Sequence, residues 1–393
     1  MTIRTSSGIL RPKTVCCRRS AGSSGCAALS RTHWDTAAAR ESTLPRSAPP
    51  RSSGHRRADL HDDKSCVLST RNGVAAPPFF DAAAVRRALP MWKTIPLMAE
   101  AMRRFSGGRV EQPLRTITRP RGRSDLLGTM PCYIAGGDEL SGFGLKATIL
   151  NPENPRSSLP LQIGVIIVFD DHGFPIGIID AGAVTAIRTA AVTAVATSLL
   201  SRGDATSSAI LGSGVQARSH LEALSYVRRL RSVRAWSPSE SNLHNFTDWA
   251  RFSLSIDVIP SQTPSDALRG AEIICAATSS REPLIDRGDL TDGAHLNLIG
   301  GSLPEYREAS SAVVAESRVY VDSLESVLAE SEDIRVPIDE GLIDSSSIIG
   351  EVGNVLLGRI EGRRTAGEVT VFKSVGLAVE DVISGLVVAR SNI

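Results

Sequence analysis

A glycine-rich turn between a predicted strand and a predicted helix constrains this chain more than any other feature. Residues 208–211 form an apolar run typical of a buried strand. The turn that follows reads Gly212-Ser213-Gly214-Val215-Gln216-Ala217. The first Gly permits the tight turn, the second lets backbone N–H groups approach a pyrophosphate, and the small Ala217 lets the next helix start close to the strand. The pattern therefore predicts a dinucleotide at a helix N-terminus, although similar turns also occur in proteins that bind no ligand.

The sequence around this turn favours the dinucleotide. Residues 220–230 have a helical pattern and residues 233–236 form a second apolar strand, which completes a β-α-β unit. An acidic residue closing the second strand would bind the ribose 2′-OH of NAD and repel the 2′-phosphate of NADP. That position is Ser237, so the sequence favours NADP over NAD. No Arg follows directly to bind a 2′-phosphate, and Arg234 is only a distant substitute.

Length and charge distribution set the limits of the fold. The chain has 393 residues, enough for two domains, and 42% hydrophobic residues, which is ordinary for a soluble globular protein. The formal net charge is +2, but residues 1–76 alone carry +8 and are rich in Ser, Arg and Pro. We expect residues 1–76 to be a disordered basic extension without a catalytic role. An organelle-targeting segment and a nucleic-acid-binding arm are the alternatives.

Cysteine content and hydropathy point to a reducing compartment. Four of the six Cys lie in the N-terminal 76 residues, and Cys132 and Cys275 remain in the folded part. Neither a Cys-x-x-Cys pair nor a zinc-like spacing is present, so we expect no metal site. The apolar run at residues 163–169 is too short to cross a bilayer. We therefore expect a cytoplasmic protein with no membrane or nucleic-acid partner, unless the extension directs it to an organelle.

The order of predicted elements indicates an α/β protein with two domains. Residues 77–200 contain two helical segments, short strands separated by turns that suit an antiparallel sheet, and a long Ala-rich helix over residues 185–201. Residues 201–325 alternate apolar strands with helices, as in a doubly wound parallel sheet of the Rossmann type. The first domain is a predicted α+β substrate-binding and dimerisation domain. We expect residues from about 330 to 393 to complete it.

A series of short motifs runs in order from about residue 78 to the end of the chain. They are Gln112-Pro113-Leu114-Arg115-Thr116, Met130-Pro131, Gly144-Leu145-Lys146, Ile187-Arg188-Thr189-Ala190-Ala191, Leu211-Gly212-Ser213-Gly214-Val215-Gln216-Ala217, Asn297-Leu298-Ile299-Gly300-Gly301-Ser302, Gly350-Glu351-Val352-Gly353 and Phe372-Lys373-Ser374-Val375-Gly376. Together they resemble the ornithine cyclodeaminase and mu-crystallin family. The resemblance implies a homodimer in which a nicotinamide cofactor lies between a substrate domain and a Rossmann domain.

The resemblance also implies chemistry at the α-carbon of small amino or imino acids. The family includes cyclodeaminases, ketimine or pyrroline-carboxylate reductases, and amino-acid dehydrogenases. Its carboxylate-binding cations map onto Arg115, Lys146 and Arg188. This assignment is physically reasonable, because guanidinium groups bind a carboxylate bidentately and a Lys adds a compact charge that can also donate a proton to nitrogen.

Each cation also has a purely structural interpretation. Arg115 alone is most simply a solvated or structural residue. Lys146 lies between apolar residues of a predicted strand, where a position at the sheet edge is the ordinary explanation. Arg188 is the only charged residue between Asp180 and Arg202, so its burial would require an anionic partner.

Ser302 separates the possible reactions. The resemblance implies an acid/base Asp at this position in cyclodeaminases and a Ser in ketimine reductases similar to mu-crystallin. A hydroxyl is a poor base unless it is activated, and the nearest His in the sequence is His295. Cyclodeamination needs several proton transfers, whereas imine reduction needs one hydride and one proton. Ser302 therefore favours a reductase, unless another carboxylate substitutes for the Asp.

The remaining cofactor contacts are expected where strands end. Thr278 and Leu298 follow or close predicted strands, where doubly wound sheets place their ligands. A cap on the following turn is the simpler interpretation of Thr278. Thr189 is assigned to the cofactor site together with Gly212, Gly214, Val215, Gln216 and Ser237.

The sequence thus predicts an NAD(P)H-dependent reductase of α-imino acids, or a related amino-acid dehydrogenase. Two alternatives stay open. One is an ornithine cyclodeaminase that forms proline and ammonia. The other is a nucleotide-bound, non-catalytic ligand-binding protein, although an apolar ligand would have little need for three cations.

Overall fold

The computed structural model describes residues 76–157, 159–170, 172–301 and 305–391. Residues 1–75 therefore lie outside the described residues, and so does the expectation that this extension is disordered. Ser302 lies outside them as well. The described residues all belong to one compact unit.

The first half of the described chain builds a layer of helices on a mainly antiparallel sheet. Its elements are β1 (Phe79–Phe80), α1 (Ala82–Ala88), α2 (Met91–Ser106), β2 (Val110–Glu111), β3 (Thr116–Thr118), β4 (Leu126–Ile134), β5 (Gly142–Leu150), β6 (Gln162–Phe169), β7 (Pro175–Asp180) and α3 (Ala181–Leu200). The sheet has seven strands in the order β1-β7-β6-β5-β4-β2, and β3 also pairs with β4. All of these pairs are antiparallel except β1 with β7.

The second half of the chain alternates strands and helices. Its elements are β8 (Ser207–Leu211), α4 (Val215–Val227), β9 (Ser232–Trp236), α5 (Glu240–Trp249), β10 (Val258–Pro260), α6 (Pro264–Leu268), β11 (Ile273–Ala276), β12 (His295–Leu298), α7 (Ser311–Ala315), β13 (Arg318–Val321), α8 (Leu324–Glu330), α9 (Glu332–Asp339), β14 (Ile348–Glu351), α10 (Val352–Leu356), β15 (Thr370–Lys373) and α11 (Ala378–Arg390). Eight parallel strands lie in the order β10-β9-β8-β11-β12-β15-β13-β14. The first five strands in this order, β10 to β12, are arranged as in a doubly wound nucleotide-binding sheet. Strand β8 lies at the point where the strand order reverses. The predicted α/β fold class is confirmed.

Helix α3 packs against both sheets and connects them. Asp180 caps its N-terminus by accepting a hydrogen bond from the Ala183 backbone N–H at 2.7 Å. Small residues on all sides of α3 allow close packing. The hydrophobic core around this helix also contains Tyr320 of β13 and Phe372 of β15. By length and composition α3 could cross a membrane, but 72% of its most apolar window is buried inside the protein. It is therefore the central helix of the core.

The structure differs from the sequence-based elements in three places. Strand β4 (Leu126–Ile134) was not predicted. The sequence predicts a helix over residues 350–357, but residues 350–351 end strand β14. Of the segment expected to complete the first domain, α11 does pack against the seven-stranded sheet, but β14 and β15 lie in the parallel sheet. The domain boundaries themselves stay a prediction.

Candidate active site

Three cationic side chains from separate elements converge between the two sheets. Arg115 lies between β2 and β3, Lys146 lies in the middle of β5, and Arg188 lies in the second turn of α3. Lys146 and Arg188 are only 1% and 5% exposed. Strand β5 lies between β4 and β6, so the edge position considered for Lys146 is wrong. A buried ammonium in a central strand needs an anionic partner.

Helix α11 provides the partners of the two buried cations. One oxygen of Asp381, Oδ1, accepts from Lys146 Nζ at 2.9 Å and from Arg188 Nε at 3.1 Å. Arg188 Nη1 also donates to Glu380 Oε2 at 2.6 Å. Both carboxylates are fully buried. Asp381 therefore connects Lys146 and Arg188 directly.

The loop between β15 and α11 connects Arg115 to the site of Lys146 and Arg188. Its Nη2 donates to the carbonyl oxygens of Val375 and Gly376 at 2.6 and 2.8 Å, and its Nε lies 2.8 Å from Glu330 Oε2. A Cβ on Gly376 would lie 2.6 Å from Arg188 Nη1. Arg115 and Arg188 thus both contact Gly376, and the three predicted cations share one site.

A buried carboxylate at the end of β13 fixes this loop. Asp322 Oδ2 accepts hydrogen bonds from the backbone N–H groups of Val375 and Gly376 at 2.8 and 2.7 Å, and from the Ser374 hydroxyl at 2.9 Å. A carboxylate that accepts several N–H bonds holds a loop in one conformation. The carbonyl groups that Arg115 contacts are therefore preorganised.

The site changes the proton affinity of its buried groups. Burial lowers the pKa of Lys146 to about 8, against the attraction of Asp381. Burial also opposes the charge on Arg188, but Asp381 and Glu380 together raise its pKa above the usual value. Lys146 is therefore the cation that can exchange a proton near neutral pH.

The glycine-rich turn has the geometry of an anion site. Gly212 has a φ of +111°, and a Cβ there would lie 2.6 Å from the Ala277 carbonyl oxygen, so only Gly fits. Gly214 caps α4 without a side-chain hydrogen bond, and Val215 in the first turn is 67% exposed. The first N–H groups of α4 thus face outward with no side-chain cap, which fits a dinucleotide pyrophosphate.

Other predicted cofactor residues surround this turn. Ser237 lies after β9, and its hydroxyl is 2.8 Å from the Ser213 hydroxyl. Gln216 in α4 donates through Nε2 to the Thr185 carbonyl oxygen at 3.4 Å, and the Thr185 hydroxyl accepts from Lys146 at 2.6 Å. The turn is therefore connected through α3 to the cation site.

The last predicted cofactor residues differ in environment. Thr278 follows β11, and its hydroxyl accepts from the Ser280 backbone N–H at 3.3 Å, as a turn cap would. The Leu298 side chain is fully buried in the core of the parallel sheet, so only its backbone could face a ligand. Thr189 is 8% exposed and follows Arg188 in α3.

His295 has no access to a reacting group. It is fully buried, its Nδ1 lies 3.0 Å from the Thr370 hydroxyl, and its Nε2 lies 3.1 Å from Asn297 Oδ1. Burial lowers its pKa to about 3, so the imidazole is neutral and structural. Within the described ranges, no group of three His, Cys, Asp or Glu could hold a metal ion.

The acidic residues of the site were not predicted from the sequence. Glu380 and Asp381 lie in the first turn of α11, which is mainly apolar. Asp322 precedes α8, and Glu330 is its last residue. The detectable signal was an adjacent acidic pair in an apolar helix, because charges buried there require cationic partners.

The fold and this site define a class of protein that binds a dinucleotide next to a small carboxylate-bearing molecule. The chain belongs to the ornithine cyclodeaminase/mu-crystallin family, whose model matches residues 78–392. It is 32% identical over 300 residues to Δ1-pyrroline-2-carboxylate reductase of Bacillus cereus, covering 76% of this chain and 91% of the relative.

Two further relatives agree with this assignment. The chain is 32% identical over 321 residues to the ketimine reductase mu-crystallin of Mus musculus, covering 80% of this chain and 97% of the relative. The structure of Thermococcus litoralis Δ1-pyrroline-2-carboxylate reductase in complex with NADH and L-proline superposes with a TM-score of 0.76 at 31% identity. That match covers 79% of this chain and 96% of the other.

Proposed function

We propose that this protein is an NAD(P)H-dependent reductase that converts an α-imino acid, of the cyclic ketimine or pyrroline-2-carboxylate type, into the amino acid. The single observation that carries the proposal is the convergence of Arg115, Lys146 and Arg188 beside a dinucleotide turn. The reductase relatives and the NADH and L-proline complex support the same chemistry.

The chain's own groups would bind the substrate and supply a proton. Arg115 and Arg188 would bind the carboxylate next to the imine carbon, and Lys146 would add the third positive charge. A bound reduced nicotinamide supplies the hydride that adds to that carbon. The pKa of about 8 suits Lys146 to donating the proton that the nitrogen gains, directly or through water.

NADPH is the proposed electron donor, with NADH as the competitor. The hydroxyls of Ser213 and Ser237 face each other where the adenosine ribose would lie, and neither repels a 2′-phosphate. Comparing kcat/KM for NADPH and NADH measures this preference. A higher value for NADH would reverse the assignment.

The protein is also proposed to form a homodimer through the outer face of its seven-stranded sheet. We define the outer face by the following side chains, which occupy odd-numbered positions of β4, β5 and β6: Tyr133, Phe143, Leu145, Ala147, Ile149, Ile163, Val165 and Ile167. The opposite face packs under α11 and α3. Phe143 and Ile163 are 55% and 48% exposed, which is unusual for large apolar side chains on a sheet.

The reductase proposal is tested by following the absorbance of NADPH and NADH with Δ1-pyrroline-2-carboxylate and Δ1-piperideine-2-carboxylate. We expect oxidation of the nucleotide that depends on the imino acid. Ammonia release from ornithine without any imine reduction would instead establish cyclodeamination. Tight nucleotide binding without turnover of any acid would establish the ligand-binding alternative.

Arg115→Ala connects this activity to the proposed site. Because a hydrogen bond to a charged group contributes about 1.5–3 kcal/mol, KM for the imino acid should rise about 10- to 100-fold, with a smaller fall in kcat. The matched control is Arg119→Ala, which removes an exposed guanidinium just beyond β3 and should leave KM unchanged. If the two variants had the same kinetics, Arg115 would not bind the substrate.

A further inference from the structure

A fully buried carboxylate bridges the ends of two neighbouring parallel strands. Glu308 Oε1 accepts from the backbone N–H and the hydroxyl of Thr278, after β11, at 2.7 and 2.9 Å. Its Oε2 accepts from the backbone N–H of Gly300, after β12, at 2.8 Å. One side chain therefore sets the spacing of these two segments.

Glu308 is itself fixed by a second buried pair. Asp333 Oδ1 accepts from the Glu308 backbone N–H at 2.9 Å, and Asp333 Oδ2 pairs with Lys373 Nζ at 2.9 Å. Lys373 Nζ also donates to the Gly300 carbonyl oxygen. The N–H and C=O groups of Gly300 are thus both bound to fully buried charged side chains.

The loop after β12 approaches this carboxylate as closely as glycine permits. A Cβ on Gly300 would lie 2.2 Å from the Thr278 carbonyl oxygen and 2.5 Å from Glu308 Oε1. Gly301 has a φ of +68°, and its Cβ would lie 2.7 Å from the Tyr306 carbonyl oxygen. No other residue fits at Gly300 without moving the bridge.

The strand order says which part of a dinucleotide these segments would meet. Ser237 follows β9 and the glycine-rich turn follows β8. The adenosine ribose and the pyrophosphate of a dinucleotide would therefore lie at those strand ends. The nicotinamide half then extends to the other side of β8, over the ends of β11 and β12. Thr278 and Gly300 lie at those two ends.

We propose that Glu308 is a positioning residue for the nicotinamide half of the dinucleotide, acting through Thr278 and Gly300. This inference depends on the dinucleotide binding of the proposed function. Because Glu308 is fully buried, it would not contact the cofactor itself. It holds the two backbone segments against which the nicotinamide ring would pack, and Asp333 and Lys373 keep it in place.

Two ligands of different length test this role independently of turnover. NADPH has the nicotinamide, and 2′-phospho-ADP-ribose lacks it but keeps the adenosine and pyrophosphate groups. In Glu308→Gln an amide N–H replaces an acceptor and opposes the N–H of Thr278 or Gly300. We expect the Kd for NADPH to rise about tenfold and the Kd for 2′-phospho-ADP-ribose to stay within about twofold.

Glu272 provides a matched control at the opposite end of the same parallel sheet. Its Oε2 accepts from the backbone N–H groups of Thr206 and Ser207 at 2.7 and 3.0 Å, and from the Ser207 hydroxyl at 3.1 Å. Glu272→Gln makes the same chemical change next to the amino ends of β8 and β11. Both dissociation constants should stay unchanged in this variant.

The outcomes are distinguishable. If Glu308→Gln weakens both ligands equally or neither, Glu308 has only a structural role and the inference fails. If the wild-type protein binds no dinucleotide, the proposed function fails first. Should Glu308→Gln not fold, Thr278→Val removes one of the three hydrogen bonds and keeps the shape of the side chain. It should weaken NADPH alone, and an unchanged Kd would overturn the proposal.

Discussion

At the scale of single residues, the site is organised by a carboxylate that the sequence analysis did not identify. Lys146 and Asp381 are 235 residues apart in the chain, and their ion pair is buried. Removing one partner of such a pair costs about 3–5 kcal/mol, because the other charge remains without compensation. The cations were predictable from the resemblance, whereas their partners depend on which helix packs against β5, and a local pattern does not contain that information.

Lys146 gives the reaction a predictable pH dependence. Its folded-state pKa of about 8 means that the ammonium form is present below pH 8 and is lost as the pH rises. If the ammonium form binds the carboxylate and donates the proton, kcat/KM should fall above pH 8 by about tenfold per pH unit. Burial raises the pKa of the neighbouring Cys132 thiol to about 12, so that thiol does not titrate in this range.

Lys146→Arg separates this effect from titration of the substrate. A guanidinium stays charged at every pH used, so the fall above pH 8 should disappear while kcat decreases. Initial rates between pH 6 and 10 measure both profiles. The same fall in Lys146→Arg would assign it to the substrate or to another group.

At the scale of elements, the strands and helices that follow simple patterns were predicted, and the exceptions have physical causes. Strand β4 contains Gly128 and Pro131, which strands usually avoid. It tolerates them because β3 pairs with residues 127–129 and β2 pairs with residues 133–134, which leaves Pro131 between the two paired segments. Pairing with β5 along all nine residues then determines the conformation of β4.

A methyl group added at Gly376, in the loop between β15 and α11, should have a specific effect. Gly376 has a φ of +80°, and a Cβ would lie 2.6 Å from Arg188 Nη1. Gly376→Ala should therefore lower stability through the left-handed backbone and also displace Arg188. We expect a reduced Tm together with an increase in KM for the imino acid of about tenfold or more.

Gly173 isolates the contribution of the backbone. It has a φ of +83° in the turn between β6 and β7, and a Cβ there would meet nothing within 4 Å. Gly173→Ala should cost about 1–2 kcal/mol of stability through its left-handed conformation and leave KM unchanged. Thermal unfolding and steady-state kinetics of both variants distinguish strain from displacement. An unchanged KM in Gly376→Ala would mean that Arg188 does not bind the substrate.

At the scale of the whole molecule, the two sheets were predictable and part of their connectivity was not. The alternation of strands and helices predicted a parallel sheet, but β15 enters it between β12 and β13 from the C-terminal end of the chain. Strand order is a property of long-range pairing, and an apolar run does not specify its neighbours. The insertion matters for function, since β15 leads directly into the loop that contacts Arg115 and into α11, which provides Asp381.

We expect two copies of the chain to associate through the outer face of the seven-stranded sheet. In a two-fold symmetric interface each substitution occurs twice, so Phe143→Glu or Ile163→Glu would place two carboxylates in an apolar contact. We expect the wild-type chain to be a dimer by size-exclusion chromatography with light scattering. Either variant should raise the Kd of the dimer about 100-fold or more, because burying unpaired like charges costs several kcal/mol.

Phe252 is the control for this experiment, because it is 82% exposed in the π-helical segment Ala250–Leu254 that follows α5 in the parallel-sheet half of the chain. Phe252→Glu adds the same charge outside the outer face and should leave the dimer intact. A monomeric wild type, or dimers of Phe143→Glu and Ile163→Glu as tight as that of Phe252→Glu, would show that the outer face is not the interface. Loss of the dimer only in the outer-face variants would assign the apolar surface of β5 and β6 to contact between two copies of this chain.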